Sequence, residues 1–340
     1  SVKSRGLGDV YKRQVLAGFC LPTIASAADE WPIGLQQLPS APLSMEQSSD
    51  GPLLTLDDGT AWTIRWQDDG PVLEQAEAQQ RPSIPGMMPD GRVAVGTGQI
   101  RQAWFSNPTD EYGHAILGDS IEAKTLTVED QQGGRFEYYA PDGTVFEDLY
   151  PRLWDMDGDG QDEVWAIRSG PSEGGRLEAF AIENGQLRPR YVSDPIGLGY
   201  RWLNPVGIGS FTGEDEREVA MVLTPHIGGV LTILSANGDR LLPVAQVPGV
   251  SNHAIGSREL GLSWIGDLNG DRIDDFVLPL QSRRALVAVT FAAGHFAVLG
   301  TSEKTGHIET GFAELELSDG GRVILFADNG PALRWLRLPD

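Results

Sequence analysis

The chain has 340 residues with 48 acidic against 26 basic side chains, a net charge of −22, 42 glycines and one cysteine. So acidic a surface repels nucleic acid and anionic lipid and attracts cations, and a lone cysteine rules out a disulfide framework. No stretch carries helical periodicity; short apolar runs alternate with Gly, Asp, Asn and Pro turns, which argues an all-β chain.

Residues 1–14 are basic, lack a starting Met and resemble translated sequencing-adapter read-through, so they are set aside. Val15 to Ile24 is a short apolar run, and Ala25-Ser26-Ala27 puts small residues at −3 and −1 of a cleavage point before Ala28. Residues 15–27 therefore read as the remnant of a secretory signal, too short to span a bilayer. Phe19 before Cys20 argues against a lipoprotein site. The expectation is an exported, disulfide-free, monomeric single domain over 28–340, in the periplasm or beyond. Since residues 1–28 hold four basic and one acidic side chain, the remainder carries −25, and its stability must come from the core and bound ions.

Pro52–Leu56, Thr60–Trp66 and Val72–Glu74 predict strands of a first unit. Ile100–Phe105, His114–Leu117, Thr125–Val128 and Phe136–Tyr139 predict a second. Three units of matched length follow. The first has a strand ending at Leu153, then Glu163–Arg168, Gly175–Ile182 and Leu187–Val192, with Asn184-Gly185 as a hairpin turn. The next has Val206–Ile208, Glu218–Leu223, Gly229–Leu234 and Leu241–Val247. The last has Leu262–Ile265, Asp275–Leu280, Ala285–Phe291 and Phe296–Leu299, where Pro279 is an awkward ladder member. Phe312–Leu317, Val323–Phe326 and Leu333–Leu338 lack a fourth strand, which the segment near Trp31–Leu35 could donate. Four-stranded units repeated in this way predict a β-propeller of six blades, seven being the alternative, its ring closed by N- and C-terminal strands.

Two acidic loops punctuate the array 112 residues apart: Asp155-Met-Asp157-Gly158-Asp159-Gly-Gln161-Asp-Glu163 and Asp267-Leu-Asn269-Gly270-Asp271-Arg-Ile273-Asp-Asp275. Positions 1, 3, 5 and 9 carry oxygen side chains, a glycine allows the tight turn, and a carbonyl at position 7 adds a ligand, as in a loop wrapped around Ca²⁺. Halfway between them, Ser210-Phe-Thr212-Gly213-Glu214-Asp-Glu216-Arg-Glu218 is a worn copy whose hydroxyls predict a metal-free turn.

Acidic loops running into apolar strands resemble the FG-GAP/VCBS-type repeats of exported bacterial proteins and integrin-like propellers, most clearly over residues 149–300. The phrases Asn107 to Asp119 and Thr224 to Gly229 are similar to VCBS-repeat proteins as well. The resemblance implies two structural Ca²⁺ ions. One would be held by Asp155, Asp157, Asp159, the Gln161 carbonyl and Glu163, which departs from the usual Asp; the other by Asp267, Asn269, Asp271, the Ile273 carbonyl and Asp275. It assigns no substrate.

In a propeller the acidic loops share one face. The opposite face would gather Tyr200, Arg201, Trp202 and Asn204, His226, and Asn252, His253, Arg258 and Glu259, which could form a mouth for a polar or anionic ligand. No nucleophile is marked: Gly261-Leu-Ser263-Trp-Ile-Gly266 is one residue too long for a nucleophile elbow. Gly96-Thr-Gly98 and Gly197-Leu-Gly199 lack the third glycine of a dinucleotide loop. The expected function is a calcium-binding recognition module for a protein or glycan, with calcium structural. The alternative is a hydrolase or lyase acting through His226, His253 and Arg258.

Overall fold

The computed structural model describes residues 29–68, 70–78, 82–213 and 217–339. The adapter-like and signal-like segments lie outside the described residues, as does Glu214 of the worn loop. All regular elements among the described residues are strands. Among the described residues no helix is long and apolar enough to cross a membrane.

Short β1 (Asp29–Trp31) and β2 (Gly34–Gln37) join sheets that later segments build. β3 (Pro42–Ser48), β4 (Gly51–Leu56), β5 (Ala61–Gln67) and β6 (Gly70–Ala76) form an antiparallel sheet in chain order. β7 (Ala94–Val95), β8 (Ile100–Thr109), β9 (Glu122–Asp130) and β10 (Arg135–Tyr139) repeat the pattern. β11 (Val145–Phe146) then bridges β9 to the next set, which is β12 (Arg152–Trp154), β13 (Glu163–Gly170), β14 (Gly174–Glu183) and β15 (Gln186–Ser193). The same order recurs in β16 (Leu203–Gly209), β17 (Glu218–Leu223), β18 (Val230–Asn237) and β19 (Arg240–Pro248), and in β20 (Trp264–Gly266), β21 (Asp275–Pro279), β22 (Leu286–Ala292) and β23 (His295–Ser302). The chain ends in β24 (Ala313–Glu316), β25 (Arg322–Asp328) and β26 (Ala332–Arg337). β2 is the fourth member of that sheet, antiparallel to β26, and β1 adds in parallel to β23. The result is an all-β, propeller-like succession of four-stranded meanders.

Burial explains the strand sequences. β13, β17 and β21 are apolar almost throughout and buried on both faces, because sheets pack against each side of them. The outer β15 and β19 alternate buried and exposed residues, as a half-solvated edge requires. Aromatic pairs knit neighbouring sheets, Phe211 lying 4.4 Å from Phe276 and Tyr138 4.7 Å from Phe180. Each such buried ring contributes roughly 1.5–3 kcal/mol. The late-joining N-terminal strands are fixed by close approach. A Cβ at Gly34 would stand 1.8 Å from the Trp335 ring and one at Gly300 2.2 Å from the Trp31 ring, so only glycine fits beneath either indole.

Two expectations are corrected. His114–Leu117 is not a strand; it lies in the connection between β8 and β9, where Gly113, Ala115 and Gly118 all take positive φ and break the extended path. Ala94–Val95 supplies that sheet's first strand instead. β3 escaped notice because its sequence, Pro-Leu-Ser-Met-Glu-Gln-Ser, lacks β-branched residues. Pro279 occupies the last position of β21. Asn184-Gly185 has φ of 50° and 73°, the two positive values of a type I′ hairpin, and Ala293-Gly294 repeats them at 51° and 82°.

Candidate functional site

The two acidic loops fold alike, bond for bond. In the first, Asp155 accepts from the N–H of Gly158 (2.7 Å) and Gly160 (3.0 Å), and Asp159 accepts from Gln161 (2.7 Å). In the second, Asp267 accepts from Gly270 (2.7 Å) and Arg272 (2.9 Å), and Asp271 from Ile273 (2.8 Å). The glycine at position 4 is required by a left-handed turn, with φ of 73° at Gly158, 76° at Gly270 and 78° at Gly213 of the worn copy. Position 6 is left-handed as well. The first loop meets this with Gly160 (84°), whereas the second forces Arg272 to 71°.

Position 9 has a structural task common to all three loops. Glu163, Glu218 and Asp275 are buried and accept the N–H of position 2, from Met156 (2.9 Å), Phe211 (3.1 Å) and Leu268 (2.9 Å). Those position-2 side chains are themselves buried apolar plugs. This was legible as an apolar residue at position 2 of every loop, though the pattern of alternate oxygens alone does not reveal it. In the worn loop Glu218 also binds the Thr212 N–H and hydroxyl, both at 2.9 Å.

Carboxylate oxygens of Asp155, Asp157 and Asp159 lie within 4.8 Å of one another. The residues fit a hard cation, since the donor set is all oxygen and the charges repel unless neutralised. Burial, and then the charges of Asp157, Asp155 and Asp159, push Glu163 up to about 7, against the opposing Met156 N–H. Burial raises Asp267 too, but the backbone N–H groups of Arg272, Gly270 and their neighbours outweigh it and hold the carboxyl below its ordinary value.

Position 8 of the three loops, Asp162, Arg217 and Asp274, faces a funnel of about 780 Å³ where β12, β16, β20 and Glu314 of β24 converge. Asp155, Trp154 and Trp264 also line it. These side chains tie each loop to the one before. Arg217 donates to the Asp155 carbonyl (2.7 Å), and Asp274 accepts from the Ser210 N–H (2.9 Å). Arg322 donates to the Asp267 carbonyl at 2.9 Å. The Trp264 indole donates to Glu314 at 2.7 Å.

On the other face the expected residues assemble, largely as a packed cluster. Trp202 is buried, donates to the Glu147 carbonyl (2.9 Å), and packs against His226 and His253 at 6.0 and 4.8 Å. His253 is fully buried. Its Nε2 contacts the Ser257 carbonyl at 3.0 Å, so Nε2 carries the proton and Nδ1 accepts from His226 Nε2 at 2.7 Å. Burial, with Arg283 nearby, lowers His226 to about 4; burial, with His226 beside it, lowers His253 to about 3. Asn204 and Asn252 are buried and bond each other's backbone carbonyls. Arg258 is held by Asp90 and Asp119, and Glu259 by Arg92 and the Gly311 N–H. Arg201 donates to the carbonyl of Tyr200. Tyr200 is exposed, as is Arg258; it takes a left-handed conformation (φ 54°) and stacks on Tyr112 at 5.2 Å. His114, overlooked in the sequence because it was assigned to a strand, sits beside both tyrosines and bonds buried Glu147 at 2.5 Å.

No family model matches the chain, and no curated protein matches it. Among solved structures, the chain is similar to the exotype rhamnogalacturonan lyase YesX (12% identity, TM-score 0.43, 89% of this chain and 64% of that one). It is similar to the Bacillus licheniformis rhamnogalacturonan lyase PL11 (12%, 0.40, 89% and 66%) and to the WD40 domain of Toxoplasma gondii coronin (11%, 0.44, 92% and 89%). The chain spans less than two thirds of the length of either lyase.

Proposed function

We propose that the chain is an exported six-bladed β-propeller, closed by the pairing of β2 with β26, in which two structural Ca²⁺ ions brace a protein- or glycan-binding funnel. The observation that carries this is the shared hydrogen-bond scaffold of loops 155–163 and 267–275, which in the first loop gathers three carboxylates within 4.8 Å and in both continues through position 8 into the funnel wall. Six sets of four strands match a six-bladed count, and first strands of four consecutive sheets meet at one cavity, as around a propeller axis. Indoles beside carboxylates suit a hydroxyl-rich or cationic ligand and disfavour a polyanion. Catalysis through His226, His253 and Arg258 is the weaker reading, because His253 has both ring nitrogens engaged and Arg258 is paired twice.

The test is thermal unfolding with calcium and with a chelator, followed by ligand screening with neutral and acidic oligosaccharides. A calcium-dependent rise in melting temperature, with binding confined to the neutral oligosaccharides and lost in the chelator, is the expected result. No shift would leave the loops as acidic turns and remove the brace from the proposal.

A further inference from the structure

Most polar and aromatic groups of the funnel already have partners within the protein. Asp155 accepts from two N–H groups of its own loop and lies 3.7 Å from Arg217. Asp274 accepts from the Ser210 N–H, and Glu314 has the Trp264 indole at 2.7 Å and Arg322 at 3.8 Å. Trp264 is 7% exposed, and the Arg322 guanidinium lies 5.3 Å from the centre of its ring, so its face is covered. Asp162 differs. It is half-buried in the funnel wall and has no hydrogen bond or ion pair among the described residues. Trp154 is half-buried as well, and among the described residues its Nε1 has no acceptor. Its ring also borders a second cavity, of about 450 Å³, which β3, β7 and the segment 150–152 help to enclose. The two residues belong to one hairpin, since Trp154 pairs with Glu163, the neighbour of Asp162.

Given a funnel that recognises ligand, we propose that Trp154 and Asp162 form its selecting subsite, for an oligosaccharide whose ring stacks on the indole while two adjacent hydroxyls donate to the carboxylate. An ionised carboxylate only accepts, through two oxygens, which matches a pair of neighbouring hydroxyls. An indole offers a flat apolar face to the C–H side of a sugar ring and keeps a polar handle in Nε1. A ligand carboxylate would bring Asp162 like charge and no donor. An ammonium would satisfy Asp162, but it would share the funnel with the Arg217 guanidinium. Arg217 is half exposed, and the N–H groups it does not spend on the Asp155 carbonyl can donate to ring or glycosidic oxygens. The subsite therefore has an accepting end at Asp162 and a donating end at Arg217. Trp154 stands between two cavities, so the ligand is a chain that continues past it and not a single sugar.

The test is titration calorimetry of the whole chain in calcium with neutral hexasaccharides of glucose, xylose, mannose and galactose. The glucosamine hexasaccharide, in which an ammonium replaces one hydroxyl of each pair, is the cationic probe. At least one neutral member should bind. Asp162→Asn and Trp154→Ala should each weaken it at least about tenfold, the effect of losing a charged acceptor or a stacked ring. Both variants should keep the calcium-dependent rise in melting temperature. If Trp154→Ala does not fold, Asp162→Asn decides alone. Affinity indifferent to Asp162→Asn, tighter binding of the glucosamine than of the glucose hexasaccharide, or no binding by any neutral member overturns the subsite. Loss of the calcium-dependent rise in Asp162→Asn overturns it too, because the residue would then serve the loop and not the ligand. Failure of the underlying reading would look different: the unaltered chain would show no calcium-dependent rise, whether or not a sugar bound.

Discussion

Lowering the pH from 8 to 5 should remove the buried histidine pair's contribution to stability, and that loss can be worked from the structure. Both folded values lie below the ordinary 6.5, near 4 for His226 and near 3 for His253. The unfolded chain therefore binds more protons than the folded one. Stability is complete above 6.5 and is lost as pH falls toward the folded values. At pH 5 an unfolded histidine lies 1.5 pH units below its pKa, worth about 2 kcal/mol for His253 at 1.36 kcal/mol per unit. His226, half-buried, is discounted to about 1 kcal/mol. The expected loss is ~3 kcal/mol. Glu122 and Glu163, both pushed up to about 7, run the other way: they gain protons in the fold first, so their contribution grows as pH falls from 7 toward the ordinary carboxylate range. The wild-type curve is a difference of these terms. The histidine share is isolated by urea unfolding of wild type and a His226→Gln, His253→Asn double variant at pH 8 and pH 5 in calcium-free buffer. The variant should lose ~3 kcal/mol less than wild type across that range. Equal losses, within about 0.5 kcal/mol, would refute the assignment of two neutral imidazoles sharing one proton bridge.

Asp157→Ala should abolish the calcium-dependent part of the melting temperature contributed by the first loop while leaving the chelated melt nearly unchanged; with calcium at 100 times Kd that part is about 2.7 kcal/mol. Glu218→Ala removes the acceptor of three hydrogen bonds in the worn loop and should cost ~3 kcal/mol in urea unfolding, with or without calcium. Arg272→Gly relieves a left-handed arginine on an exposed turn and should stabilise the chain by up to ~1 kcal/mol, measured as a higher denaturation midpoint at constant slope. Arg217→Ala takes a guanidinium from 3.7 Å of Asp155 and should tighten calcium binding at the first loop a few fold by titration calorimetry, the gain fading at high salt.

The repeat made much of the fold legible. Glu218–Leu223 was readable to the residue because a strand buried on both faces is a continuous apolar run bounded by charge. Asn184-Gly185 was readable because two positive φ values demand that dipeptide. β3 and β7 were not, since one lacks β-branched residues and the other is two residues long. The alternate oxygens of the loops were visible in the sequence, whereas the facing of position 8 into a funnel depends on sheets separated by more than fifty residues. The cluster around Trp202 shows the opposite limit. Its members were correctly brought together by topology, but burial of His253 and pairing of Arg258 depend on packing that a strand pattern does not contain.

Loop and funnel are one mechanical unit because consecutive positions of one short turn have different duties. Position 1 turns its carboxylate to the backbone N–H groups of its own loop and its carbonyl to the next sheet, as Asp155 does to Arg217 and Asp267 to Arg322. Position 8 faces the funnel, and position 9 turns inward to anchor the apolar plug. An ion that fixes position 1 must therefore also fix where Arg217 sits on the funnel wall. The worn loop keeps its position-9 anchor while losing the acidic side chains of positions 1 and 3, and in exchange it carries Arg217 where its neighbours carry Asp162 and Asp274. That one basic side chain between two acidic ones gives the funnel a polarity that three acidic loops would lack. Under the proposed function, ligand orientation more than affinity is the property on which the loss of the middle loop would act.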